Sequence, residues 1–343
     1  MNAGYITFGE ARTTQAAKLG EAVDLIRSQV AVRSADGELA GPGPIFVGIG
    51  ASLAAACAPV WALRSRGVHS WRLGAGDLPI PFPQSIHPVI GISQSGRSAE
   101  TLAVLGSIDE AQRYAVVNTS PSPVTGIAPK NIRLGNIPDS YASTIGYTAT
   151  VAALGIIADA WDGGSVDAGW AELAGTFQRV ESELTEHLQR VARVFGDAGS
   201  VDFVGAGPSV GSAEAGALLF REVARIHSTA MSTRQYLHGS MESAGDGVHV
   251  VLGNERELDL ARTLAGAGHR VILISSEPVE ESRNLQTVLL PGLPAAQRSI
   301  LEALVMQTLV GEAASLRSVD VEEFVFHNSD TKVEAAPSGK AGV

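Results

Sequence analysis

The chain has 343 residues, of which 45% are hydrophobic and 5% aromatic, and it carries 38 glycines. That length exceeds one ordinary core and fits two packed domains of a soluble α/β protein. The net charge of −11 argues against a nucleic-acid binder, because a phosphate backbone needs a basic face, but a local site can still take a small anionic substrate.

The N-terminal MNAGYITFGEARTTQ lacks the basic-then-apolar pattern of a signal peptide. No apolar run approaches the ~20 residues of a membrane helix. Cys57, the single cysteine, cannot form an internal disulfide, so the expected location is a reducing cytoplasm. Residues 12–33 read as a helix packed outside the first domain.

At 45–58 the sequence is IFVGIGASLAAACA, and at 202–215 it is DFVGAGPSVGSAEA. Aligning Phe46 with Phe203 brings Val47/Val204, Gly48/Gly205, Gly50/Gly207 and Ser52/Ser209 into register. Each copy is a short apolar strand, a Gly-x-Gly-x-Ser turn and an Ala-rich helix, which makes a duplicated α/β unit. The further strands are HSWRLG (69–74), PVIGIS (88–93) and YAVVNTS (114–120) in the first half, and VHVVLG (248–253), RVILISS (270–276) and TVLLP (287–291) in the second. Such uniformly apolar runs suit parallel strands covered on both faces. Residues 168–197 have helical periodicity and link the halves.

The stretch 91–101, GISQSGRSAET, follows one of these strands. Ligands in open parallel sheets bind beyond the carboxyl ends of the strands. Gly96 permits a tight turn, a helix begins near Ser98, and the hydroxyls of Ser93, Ser95 and Ser98 form a compact arc of neutral donors suited to a phosphate. The alternative is a serine-rich turn with an N-cap. The repeat favours the ligand reading. The matching turn in the second half, VVLGNERELD (250–259), has no serine, so the fold does not require hydroxyls there. That points to one phosphate site per chain, in the first half. No Walker loop occurs, and Gly48-x-Gly50 lacks a third glycine at dinucleotide spacing.

The motif strand-SQSG-x-S-x-E-T, preceded by G-x-G-x-S and duplicated, resembles the SIS (sugar isomerase) domain, in the double arrangement of the isomerase module of glucosamine-6-phosphate synthase. The resemblance covers roughly residues 40–335. It implies an α/β fold of two tandem SIS domains, each a parallel sheet flanked by helices in a flavodoxin-like three-layer αβα arrangement. The expected division is an N-terminal helical segment (1–40), a first domain (41–165), a linking helix (166–198), a second domain (199–320) and a tail (321–343). The resemblance implies that Ser93, Gln94, Ser95 and Ser98 hold the sugar phosphate and that Ser52 contacts the sugar. YAST (141–144) is similar to a VAST segment of the family, which adds Ser143 to the wall. Ile145 stands where the family has a lysine.

In GALLFREVARIHSTAMSTRQYLHG (216–239) the family pattern falls on Glu222, His227 and the pair His238-Gly239. The resemblance implies that Glu222 moves a proton between C1 and C2 of the open-chain sugar. It also implies that His238, from the neighbouring subunit of a homodimer, helps open the ring. The chemistry needs one base near neutral pKa reaching both carbons, and a partly desolvated carboxylate can supply it. Read as ordinary residues, Glu222 is a solvated helix carboxylate paired with Arg221 or Arg225, and His227 is a packed helix histidine. The family's E-G-A-L-K becomes Ala215-Gly216-Ala217-Leu218-Leu219, with Glu214 adjacent. Lys332 matches a family tail lysine able to form a Schiff base or to sit over the ring. His327, Asn328 and Asp330 form a polar cluster that points to a tail folded back over a site, with 336–343 frayed at the end.

No metal-ligand spacing is present, and no cofactor is expected. Family synthases carry a glutaminase cysteine after the initiator Met. Asn2 stands there, so no glutamine hydrolysis is expected. The expected function is a phosphosugar isomerase or deaminase acting on a ketose or amino-sugar 6-phosphate. A fructosamine-phosphate deglycase and a non-catalytic phosphosugar sensor are the alternatives.

Overall fold

The computed structural model describes residues 4–322, 324–326 and 328–334. His327 and the segment 336–343 lie outside the described residues. In chain order the first half runs α1 (Phe8–Ala35), β1 (Ile45–Gly48), α2 (Ala51–Ala55), α3 (Cys57–Ser65), β2 (Trp71–Gly74), β3 (Val89–Ser93), α4 (Ala99–Gly106), β4 (Arg113–Val117), α5 (Pro123–Ile127), β5 (Lys130–Arg133) and α6 (Ile145–Ala160). The second half runs α7 (Leu173–Val191), β6 (Ser200–Gly205), α8 (Ser209–Val223), β7 (His227–Ser232), α9 (Thr233–Leu237), β8 (Val248–Leu252), α10 (Arg256–Gly266), β9 (Arg270–Ser275), β10 (Leu285–Leu289) and α11 (Ala295–Leu316).

Two parallel sheets of five strands result, ordered β2-β1-β3-β4-β5 and β10-β9-β8-β6-β7. Every residue of β3 and β8 is buried, because helices cover both faces of a parallel sheet. In each sheet the chain reverses direction across the middle, between β1 and β3 and between β6 and β8. Those two switch points are where an open α/β sheet forms its ligand crevice.

The duplication persists in backbone detail. Gly50 and Gly207 take φ values of +56° and +52°, a left-handed conformation that L side chains rarely adopt. A Cβ on Gly205 would lie 2.4 Å from the Ser209 carbonyl oxygen, so the helix can follow the strand that closely only without a side chain.

One apolar core runs through both halves, joining Phe46 and Trp161 to Phe203, Phe220 and Leu304. The helix α11 ties it together, packing on α3 and α6 of the first half and on α7 and α8 of the second. It is long and apolar enough to cross a membrane, yet 78% of its most apolar window is buried inside the fold. A helix apolar all round is a core helix when other helices surround it.

The structure departs from the sequence reading in specific places. The N-terminal helix is longer than 12–33 and is capped by Thr7, whose side chain accepts from the Glu10 amide. The first Ala-rich helix breaks at Ala56. Each sheet gains a fifth strand, β5 (KNIR) and β7 (HSTAMS). Both are sheet edges with polar sequences, so a search for apolar runs passes over them. His227 is therefore the exposed first residue of β7, not a packed helix histidine.

Candidate active site

The serine loop follows β3 at the first switch point. Ser93 closes the strand and is 2% exposed, and its hydroxyl lies 2.9 Å from that of Ser98. Ser98 is the N-cap of α4 but makes no side-chain capping bond, which leaves its hydroxyl available beyond Ser93. Ser95 Oγ accepts from the Arg97 amide at 3.3 Å. Gly96 takes φ +62°, and a Cβ there would lie 2.1 Å from Ser122 Oγ. The Ser93 and Ser98 hydroxyls thus meet at the start of α4, where the backbone dipole favours an anion, with Ser95 in the same loop.

Gln94 turns the other way. Its amide nitrogen donates to the Gly146 carbonyl and to Thr150 Oγ1. Its side chain thus fastens the serine loop to the first turn of α6.

The YAST segment is organised by a residue that the sequence reading missed. The Asp139 carboxylate accepts from Ser143 Oγ at 2.9 Å, from Thr144 Oγ1 at 2.7 Å, and from the amides of Ile145 and Gly146 at 3.1 and 2.9 Å. A carboxylate against orphan N–H groups is the usual device at a helix start. The signal in the sequence is an acid followed by hydroxyl residues before an apolar helix, DSYAST at 139–144.

Ser143 lines a cavity of about 290 Å³ together with Gly50, Ala51, Tyr147, Leu219 and Glu222. The chain after β1, the start of α6, and helices α8 and α11 form its walls. Ser52 sits in α2, beside the lining residues Gly50 and Ala51, half-buried. Tyr141 stands at the rim, its ring 4.5 Å from Tyr5 and 5.7 Å from Phe324 of the tail.

Glu222 reaches the cavity from α8. Ala215, Leu218 and Leu219 lie on the same face at positions i−7, i−4 and i−3. Among the described residues its carboxylate has no hydrogen bond and no ion pair. Burial pushes its pKa up to about 7, because desolvation penalises the charged form. The expected pairing with Arg221 is not there, since Arg221 Nε donates to the Ser228 carbonyl. Glu214, one residue before the aligned Ala215, points elsewhere: it forms a two-pronged ion pair with Arg72 of β2. One step along a helix is about 100° of rotation, which takes that carboxylate out of the cavity.

The tail returns to the serine loop. Lys332 forms an antiparallel bridge with Ser98. The Ala99 amide donates to the Thr331 carbonyl at 3.2 Å and the Val333 amide to the Arg97 carbonyl at 3.0 Å. Arg97 Nε adds a bond to the Val333 carbonyl at 2.6 Å. The Lys332 side chain is exposed. Asn328 lines a second opening behind Glu222, with His227 and Phe324.

His238 is not with this group. It is exposed at the end of α9, followed by Gly239 with φ +120°, and lines neither the Glu222 cavity nor the opening behind it. The structure therefore brings together Ser93, Ser95, Ser98 and the Lys332 backbone at one place and Ser143 with Glu222 at another. Gln94 joins them through α6.

No family model matches the chain. It is 28% identical over 262 residues to glutamine–fructose-6-phosphate aminotransferase (isomerizing) of Gluconobacter oxydans, covering 68% of this chain and 42% of that protein. The chain thus spans about two fifths of the length of the curated relatives it matches. Its fold is that of the C-terminal domain of glucosamine-fructose-6-phosphate aminotransferase from Francisella tularensis (TM-score 0.78, 17% identity, 94% of this chain and 99% of that one). Tagatose-6-phosphate ketose/aldose isomerase of Escherichia coli is also similar (TM-score 0.75, 18% identity, 96% and 97%). So is glucosamine-6-phosphate deaminase of Thermotoga maritima (TM-score 0.70, 17% identity, 94% and 100%).

Proposed function

For a double-SIS chain that resembles the isomerase module of the aminotransferase, we propose proton transfer between C1 and C2 of an open-chain ketose or amino-sugar 6-phosphate. The observation that carries this reading is Glu222: an unpaired carboxylate with a pKa near 7, facing a cavity it shares with Ser143. A base of that pKa is half-ionised at neutral pH and can both take and return a proton.

In this account the hydroxyls of Ser93, Ser95 and Ser98 donate to the phosphate oxygens. The ester holds the sugar chain so that its first two carbons reach the Glu222 cavity. Glu222 removes the proton from C1 as the C2 oxygen or nitrogen gains the proton that the C1 hydroxyl gives up, so that an enediol or enolamine forms and collapses, and the resulting carboxylic acid delivers the carbon proton to C2. Ala215, Leu218 and Leu219 keep the carboxylate poorly solvated and so keep it basic. Lys332, carried onto the serine loop by the tail, closes the site from above. His238 completes it from a second copy of the chain, which makes the working unit a homodimer of the cytoplasm.

Isomerase and deaminase share this proton transfer and differ in whether nitrogen leaves. Proton NMR in D2O with a panel of ketose, aldose and amino-sugar 6-phosphates, with and without ammonium, separates them. Deuterium entering C1 or C2 of one compound is the expected result, and the product distinguishes the two reactions. Binding without exchange in every compound would replace catalysis with sensing.

A further inference from the structure

The second half has its own crevice. A cavity of about 710 Å³ opens at the second switch point, beyond the carboxyl ends of β6 and β8. Ala206 and Gly207 line it after β6, and Gly253 and Asn254 after β8. This is the position in the second sheet that the serine loop and the Gly50 turn hold in the first.

Its wall carries cationic and unsatisfied groups. Arg298, from α11, is 7% exposed. Its Nε donates to Glu302 Oε1 at 2.8 Å and its Nη1 to Ser276 Oγ at 3.2 Å. Among the described residues its Nη2 has no partner. Thr233, 3% exposed, also lines the cavity, and its hydroxyl has no partner among the described residues either. Buried donors are normally paired, and leaving one unpaired is costly. Arg234 and Arg256 stand exposed at the rim. The acids facing the same space are Glu255 and Glu257. Glu257 is buried and turned back to accept from the Glu255 amide, and Glu302 lies beneath Arg298, also accepting from Ser209 Oγ at 2.7 Å. Among the lining side chains three cations therefore face two carboxylates, on a chain whose net charge is −11.

The cavity is also lined by a flat apolar ring. Trp61, from α3 of the first half, is 49% exposed although large and apolar. Its indole lies over Gly207, where a Cβ would approach to 3.2 Å. An exposed tryptophan and three arginines lining one cavity offer it a stacking face and an anion site.

We propose that this cavity is a second ligand site, which takes a phosphate ester of a ring compound: the phosphate on Arg298 with the rim arginines, the ring against Trp61. It is distinct from the serine-loop site and does not depend on the reaction proposed there.

The test is calorimetric titration of the full chain with three probes: glucose 6-phosphate, uridine monophosphate and inorganic phosphate. The Ser95→Ala/Ser98→Ala double variant removes the serine-loop hydroxyls. One ester-binding site is expected to survive in it. Arg298→Gln in that background should weaken this site at least tenfold. Because Arg298→Gln leaves Glu302 buried without its cation, the exposed pair Arg234→Gln/Arg256→Gln serves as a second variant, with the same direction expected. Trp61→Ala should weaken both esters about tenfold and leave inorganic phosphate unchanged. Whichever ester binds more tightly names the ring, sugar or base. Loss of all ester binding in the serine variant would overturn the proposal. So would unchanged affinity in the arginine variants, or inorganic phosphate binding as tightly as both esters.

Discussion

Lys332 and Ser98, far apart in the sequence, lie side by side in an antiparallel bridge that fastens the C-terminal tail across the serine loop. The tail is held by backbone bonds to Arg97 and Ala99, so its position depends little on which side chain stands at 332. Lys332→Gln should therefore leave phosphosugar affinity within about threefold while lowering turnover more than tenfold. Direct binding and steady-state rates on the same preparation check this. Equal loss in both would make Lys332 a binding residue only.

The serine hydroxyls carry the phosphate in this account. Ser95→Ala should weaken phosphosugar binding about tenfold, equivalent to about 1.4 kcal/mol, with the melting temperature unchanged. Ser95 is half-buried and its hydroxyl holds only the Arg97 amide at 3.3 Å. Unchanged affinity would move the phosphate elsewhere.

Gln94 should behave oppositely. Its amide ties the loop to Gly146 and Thr150 of α6. Because Thr150 Oγ1 still donates to the Gly146 carbonyl, Gln94→Ala should cost only the tie itself, about 1 kcal/mol of stability, read from denaturant midpoints. A stable variant that merely binds poorly would assign this side chain to the ligand instead.

The tandem parallel fold was legible because strands such as VIGIS and VHVVL are uniformly apolar, and the Gly-x-Gly-x-Ser turn occurs twice. The edge strands KNIR and HSTAMS were not, because an edge needs only one paired side and tolerates polar residues. For the same reason His227 was misread as helical. The serine loop was visible as a motif. Asp139 was not singled out, since its role depends on six hydrogen-bond donors, from Ser140 and from Ser143 through Gly146, converging on one carboxylate after the chain has folded. Glu222 could be nominated by spacing, but its isolation from Arg221 depends on that guanidinium reaching the Ser228 carbonyl. The second cavity was hidden for a simple reason. The second-half turn has no serines, and its cation, Arg298, comes from α11, far from the turn in sequence.

His238 lines neither the Glu222 cavity nor the opening behind it, which the account explains by a partner subunit. Mixing inactive Glu222→Gln and His238→Ala proteins under exchange conditions should restore activity to about a quarter of wild type, because half the dimers would be mixed and each would hold one intact site. Light scattering should report a dimer. A monomer, or no recovery on mixing, would contradict the shared site.

Glu222 also sets a pH signature on stability. Its folded pKa, about 7, lies above the ordinary carboxylate range, so the native state binds its proton more tightly than the unfolded chain. Its contribution is most favourable in acid and is lost as pH rises through about 7. Glu222→Gln should therefore be more stable than wild type at pH 8, by roughly 3 kcal/mol, and no different at pH 4. Chemical denaturation at the two pH values measures it.

The most direct test of the account is the rate of deuterium incorporation into the turned-over phosphosugar, in wild type and Glu222→Gln, as a function of pH. The account predicts a wild-type rate that rises with pH through about 7 as the carboxylate ionises, and no incorporation in the variant while binding persists. Wild-type exchange in the Glu222→Gln protein would contradict it and remove Glu222 as the base.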